Sequence, residues 1–132
     1  MKLQPDRSSA PLVRAYTETW LQIDDLRFEQ SVLVSSLPGM TPQAWEPVSF
    51  ADLQAKHLEE LTQSGAELVI LGTGRRQKFP PAAWLAPFVH ARIGLESMDT
   101  AAACRTYNIL ASEGRKVIAA LLIEADSTNS AV

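Results

Sequence analysis

The chain has 132 residues, a length suited to a single core, and 46% of them are hydrophobic. A net charge of -3 supplies no general field for binding nucleic acid or an anionic membrane surface. Two histidines and one cysteine are too few for a structural zinc site, and Cys104 alone excludes an internal disulfide, so neither metal nor cofactor is expected.

Residues 1–12 place Lys2, Asp6 and Arg7 among serines and prolines, without the apolar run of a signal peptide, and are expected to form a flexible arm. The longest apolar run, Val117 to Ile123, is far shorter than the roughly 20 residues that span a bilayer. A soluble, cytoplasmic protein is therefore expected, one that still has the option of docking peripherally on a membrane complex.

From Arg14 to Ser36 the β-forming residues Tyr16, Trp20, Ile23, Phe28, Val32 and Val34 are interrupted by a turn at Asp24-Asp25. Connections this short join antiparallel neighbours, which predicts a β-meander of two or three strands. Leu37 to Pro42 follows as a loop with Pro38-Gly39 at the centre of a β-turn, and Trp45 is expected to pin the next segment to the core. A first helix is predicted with Ser49 as its N-cap, Asp52 in its first turn and Gly65 just past its end. Its buried stripe is Phe50, Leu53, His57, Leu58 and Leu61, with His57 as a hydrogen-bonded boundary residue.

Leu68 to Leu71 is uniformly apolar, the mark of a strand covered on both faces. It delivers a basic loop, Gly72 to Phe79. Pro80-Pro81 then opens a short helix through Val89, which Pro87 kinks or ends, with Trp84, Leu85 and Phe88 facing the sheet. Arg92 to Met98 is a third strand with Ile93 and Leu95 on one face. Asp99 or Ser97 caps a helix to Ser112 whose inward stripe is Ala103, Tyr107 and Leu110 and which Gly114 stops. Lys116 to Ile123 is a last strand, again covered twice, and residues 125–132 form a polar tail expected to be flexible. The expectation is one α/β domain over residues 13–124, with strands and helices alternating after the meander and helices on both faces of a parallel or mixed sheet.

The loop Gly72-Thr73-Gly74-Arg75-Arg76-Gln77-Lys78 is the candidate site. If it follows a parallel strand, it lies at the sheet edge where open α/β folds form ligand crevices, and its two glycines and three cations suit an anion. It fails the phosphate fingerprints, because Gln77 stands where the third dinucleotide glycine would be and no Gly-Lys-Ser/Thr is present. Three readings remain: a purely structural turn, a protein-binding patch, and an enzyme or sensor site for a small anion. Glu113 is free to pair with Arg75 or Arg76. Cys104 lies one turn from Asn108 and beside Arg105 but has no base in view, so a packed, inert thiol is expected. No catalytic set is identified.

Three separated motifs then point one way: Thr106-Tyr107-Asn108-Ile109-Leu110-Ala111-Ser112-Glu113-Gly114-Arg115, Leu71-Gly72-Thr73-Gly74-Arg75-Arg76-Gln77 and Glu96-Ser97-Met98-Asp99-Thr100. Over Val13 to Ile123 the chain resembles the domain-of-unknown-function family that includes mitochondrial respiratory complex I assembly factor 3 and many small bacterial and archaeal proteins. The resemblance implies a three-layer α/β fold with a mixed central sheet. It also implies a protein-interaction role with a partner of unknown identity, in biogenesis of membrane or respiratory complexes. The interaction surface is expected at Gly72, Thr73, Gly74, Arg75, Arg76 and Lys78, with Asn108, Glu113 and Arg115 as neighbours.

Overall fold

Two runs, Leu68–Gly72 and Val117–Leu121, have no polar face to turn to water, and the fold covers both of their sides. The computed structural model describes residues 9–124. Its strands are β1 (Val13–Tyr16), β2 (Leu21–Ile23), β3 (Leu26–Phe28), β4 (Val32–Ser35), β5 (Gln43–Ala44), β6 (Leu68–Gly72), β7 (Gly94–Met98) and β8 (Val117–Leu121). Its α-helices are α1 (Ala55–Glu59), α2 (Ala86–Ala91) and α3 (Thr100–Ser112), joined by 3-10 turns at Phe50–Asp52, Glu60–Gln63 and Ala82–Leu85.

The main sheet has the order β5-β4-β8-β6-β7, with β8 antiparallel to β4 and parallel to β6, and β6 parallel to β7. A second sheet, β1-β2-β3, is antiparallel throughout. Alternation along β8 divides the core. Val117, Ala119, Leu121 and Ile123 face one way and pack with β1, β2, β4 and the inner side of α3, while Ile118, Ala120 and Leu122 face the other and pack with Trp45, Leu58, Leu61 and Phe88. This is the α/β fold with a mixed central sheet, helices on both faces and an N-terminal meander.

Four local expectations are corrected. Val32 to Ser35 leaves the meander and joins the main sheet beside β8, because Val32 and Val34 are completely buried on one face and Leu33 packs into the other cluster. The first helix is not continuous. Leu53 is extended (ψ 137°), Ser49 makes no side-chain cap bond, and α1 starts after Gln54, whose backbone N–H donates to His57 Nδ1 at 2.9 Å. Of the predicted stripe, Leu53, His57, Leu58 and Leu61 are buried, and Phe50 is half-buried against the same cluster. His57 has a partner that local pattern could not show: its Nε2 lies 3.0 Å from Glu46 Oε1, and its ring meets Trp45 edge-on.

Pro87 sits in the first turn of α2, where a missing N–H costs nothing, so it helps to start a helix instead of ending one. Arg92 is outside β7, a left-handed cap (φ 60°) closing α2.

Other signals read as expected. Met40 N donates to Leu37 O across Pro38-Gly39, with Gly39 at φ 83°. Asp99 is the N-cap of α3, its Oδ1 accepting from Ala102 N at 2.8 Å. At the other end Arg115 N donates to Leu110 O and Gly114 N to Ala111 O around Gly114 (φ 83°), a Schellman closure. The expected arm and tail fall largely or wholly outside the described residues. Pro11 and Leu12, the last residues assigned to the arm, are tied down: Pro11 O accepts from the buried Tyr107 hydroxyl at 2.8 Å, and Leu12 N donates to Asp24 Oδ1.

Candidate functional site

β6, β7 and β8 run parallel, so Gly72, Met98 and Leu121 end on the same edge of the main sheet. Helix α3 begins there too, and so does the turn after β1. Between them lies a cleft of about 220 Å³ lined by Tyr16, Glu18, Gly74, Arg75, Asp99, Thr100 and Glu124, among others. The crevice therefore forms at the carboxyl end of parallel strands, as in open α/β sheets generally.

Its floor is held by one hydroxyl. Thr100 Oγ1 donates to Leu122 O at 2.7 Å and accepts from Gly74 N at 2.9 Å, both in the buried interior, and Thr100 N donates back to Gly74 O. Thr73, also completely buried, donates from its hydroxyl to Arg76 O at 2.6 Å and accepts from Lys78 N at 3.1 Å, closing the loop on itself. Gly72 is required by proximity: a Cβ there would stand 3.0 Å from Thr100 Oγ1 and 3.1 Å from both Ala103 Cβ and Leu121 Cδ2. Gly74 is required by conformation, with φ +104°, and a Cβ there would also stand 2.7 Å from the Glu124 carboxyl carbon.

The cations of the loop turn outward. Arg75 pairs with Glu18 at 3.4 Å, Lys78 Nζ lies 5.5 Å from the centre of the Phe50 ring, and Arg76 is exposed with no ion-pair partner among the described residues. Gln77 Nε2 donates to Ser97 O at 3.0 Å, carrying the loop across to β7.

The remaining candidates are elsewhere. Asn108 clamps β1 to α3, its Oδ1 accepting from Val13 N at 2.9 Å and its Nδ2 donating to Val13 O at 2.8 Å. Glu113 and Arg115 lie past the far end of α3, which at 1.5 Å per residue is roughly 20 Å from Gly74. Arg115 pairs there with Glu67 at 3.3 Å, and Glu67 Oε2 also accepts from Lys116 N. The Lys116 N–H above all, and then the Arg115 guanidinium, hold the Glu67 carboxyl below its ordinary pKa of 4.5. The expected contact between Glu113 and Arg75 or Arg76 is thus not made, since the two groups occupy opposite ends of one helix.

Cys104 is completely buried, and burial pushes its thiol up to about 12, so it is no nucleophile near neutral pH. Sequence reasoning missed the carboxylates Glu18, Asp99 and Glu124 around the cleft. They come from three separate segments, and only Asp99 carried a local signal, as a cap.

The comparisons agree with this architecture. A Bordetella pertussis protein solved in solution and described as a Mth938-like domain is 29% identical, with a TM-score of 0.79 covering 100% of this chain and 98% of that one. The 13 kDa major membrane protein of Francisella tularensis is 31% identical over 65 residues, 49% of this chain and 53% of that protein. NADH dehydrogenase [ubiquinone] 1 alpha subcomplex assembly factor 3 of Danio rerio is 35% identical over 80 residues, 59% of this chain and 46% of that protein. The chain thus matches about half the length of each of these two relatives. No helix among the described residues is long and apolar enough to cross a membrane. Residues 13–122, nearly the whole described chain, match the family described as "Protein of unknown function (DUF498/DUF598)", and the protein belongs to that family.

Proposed function

We propose that this chain is a non-catalytic protein-interaction domain of the assembly-factor kind, working from the cytoplasm in the biogenesis of membrane or respiratory complexes and touching the membrane only through its partners. The observation that carries this reading is the combination at Gly72–Lys78 of a backbone fastened by buried hydroxyls with cations left outside. A rigid display of exposed charge suits recognition of a protein surface, because little entropy is lost on binding. Kinship with a protein named as a complex I assembly factor supports it. The contact surface is carried by the exposed Arg75, Arg76 and Lys78, with the cleft beside them, while the buried Gly72, Thr73 and Gly74 hold the backbone that presents it.

The alternative, an enzyme or sensor for a small anion, is disfavoured by the chemistry of the same corner. The Gly74 N–H already donates to Thr100, the first-turn N–H groups of Thr100 and Ala102 are taken by Gly74 O and Asp99, and the cleft sets Glu18, Asp99 and Glu124 against Arg75 alone. Pull-down at native expression level, read by mass spectrometry, tests the proposal. Loss of the same specific partner from Arg75→Ala/Arg76→Ala is expected, and an unchanged partner set would remove the loop from the interface. Thermal shifts with phosphate, nucleotides and small carboxylates are expected to be equal, or nil, in the wild type and this variant.

A further inference from the structure

β7 is one of the two outer strands of the main sheet, and at five residues its open side is longer than any other strand edge among the described residues. Which of its backbone groups face outward is fixed by pairing. Gly94 N donates to Glu67 O and Met98 O accepts from Thr73 N, so the even-numbered residues address β6 and Leu95 and Ser97 address the open side. Gln77 Nε2 reaches Ser97 O from that side. The N–H and C=O of Leu95 and the N–H of Ser97 have no partner among the described residues. Alongside runs a groove of about 350 Å³ formed by Phe79, Pro80, Leu85, Leu95, Glu96 and Ser97, and Phe79 is 74% exposed at its rim.

A free edge with an apolar groove accepts an added strand, and the charge on β7 decides whose. Pairing two copies over the whole strand would set Leu95 against Ser97 of the other copy. That register brings Glu96 against its own mate across a close, non-hydrogen-bonded pair, where like charges repel. Glu96 therefore opposes self-pairing and favours a basic residue in the same position. We propose that the β7 edge binds an extended segment of a partner protein as an added strand, with a Lys or Arg opposite Glu96 and apolar residues on either side of it entering the Phe79 groove. This rests on the reading of the domain as a protein-binding module but uses residues other than the Arg75–Arg76 surface.

The test is titration of the ¹⁵N-labelled protein with the capped peptide Val-Lys-Val-Lys-Val, with the same peptide N-methylated at alternate amides, and with Val-Glu-Val-Glu-Val. Saturable shifts and slowed exchange at the Leu95 and Ser97 amides are expected with the first peptide and not with the second. Glu96→Lys should weaken Val-Lys-Val-Lys-Val about tenfold and reverse the preference between the two charged peptides, since an attraction is exchanged for a repulsion. No saturable shift at these amides at millimolar peptide, shifts centred on the Gly74 cleft, or insensitivity to Glu96→Lys would each overturn the proposal. Slowed exchange that follows protein concentration alone, with a dimer in sedimentation, would assign the edge to a second copy and overturn it as well. The pull-down with Arg75→Ala/Arg76→Ala reads neither Leu95 nor Ser97, so either result can fail without the other.

Discussion

Replacing Thr100 by valine removes one oxygen and almost no volume, yet that oxygen joins three elements. In the wild type its hydroxyl serves the Gly74 N–H at 2.9 Å and the Leu122 carbonyl at 2.7 Å, in a residue only 8% exposed. Valine leaves both backbone groups buried without a partner, each at a cost of about 1–3 kcal/mol. The change in helix propensity at the first position of α3 is negligible beside this, because Thr and Val rank together. A loss of about 2–6 kcal/mol is expected, from a total of about 5–15 kcal/mol for a domain of this kind. With a urea slope of about 2 kcal/mol/M, the unfolding midpoint should fall by about 1–3 M. Thr100→Ser keeps the hydroxyl and should recover most of the loss, and the Gly74 amide should exchange faster in the valine variant alone. Equal midpoints for wild type and Thr100→Val, or equal damage from serine and valine, would refute the view that this hydroxyl holds the corner.

Asn108→Ala should loosen β1 from α3, with a loss of about 1–3 kcal/mol for two paired groups and the earliest exchange at the Val13 amide. Cys104 should resist a thiol reagent in the folded protein and react at a rate that tracks unfolding as denaturant is added, because it is buried and its thiol is pushed up to about 12. Glu67 has its pKa lowered in the folded state, so its stabilisation is fully present above the ordinary value of 4.5 and is lost as pH falls through the lower folded value. Glu67→Gln should therefore flatten the acid limb of stability against pH below about 4.5 while changing little of the slope near neutrality.

Much of the frame was legible wherever the signal was local. The unbroken apolar runs of β6 and β8, Asp99 and Gly114 at the two ends of α3, and Pro38-Gly39 in its turn all act through neighbours in sequence. What stayed hidden depends on distant partners. The break at Leu53 goes with a buried His57 that meets Glu46, eleven residues away, and nothing local separates that from a continuous helix. Val32-Leu33-Val34 lies close enough to Phe28 in the chain to read as a meander strand, and only its pairing with Ile118–Leu121, more than eighty residues away, places it in the main sheet. The site suffered most. Asn108, Glu113 and Arg115 are close in sequence to one another and conspicuous, yet α3 carries them away from Gly74, while the carboxylates that do line the cleft come from positions 18, 99 and 124.

The place of β8 has a bearing on how the protein is made. This strand lies in the middle of the main sheet but follows every other strand among the described residues, and it pairs Val32–Ser35 with Ile118–Leu121 across more than eighty residues. Until it emerges from the ribosome, β4 and β6 have no common neighbour, and the apolar faces of both layers lack the strand that separates them. The sheet is therefore closed from its centre, as a late and long-range event, and folding should be slow for a chain of this size. Nascent chains stopped before Val117 should expose two adjacent strand edges and bind holding chaperones, and release should coincide with the appearance of β8.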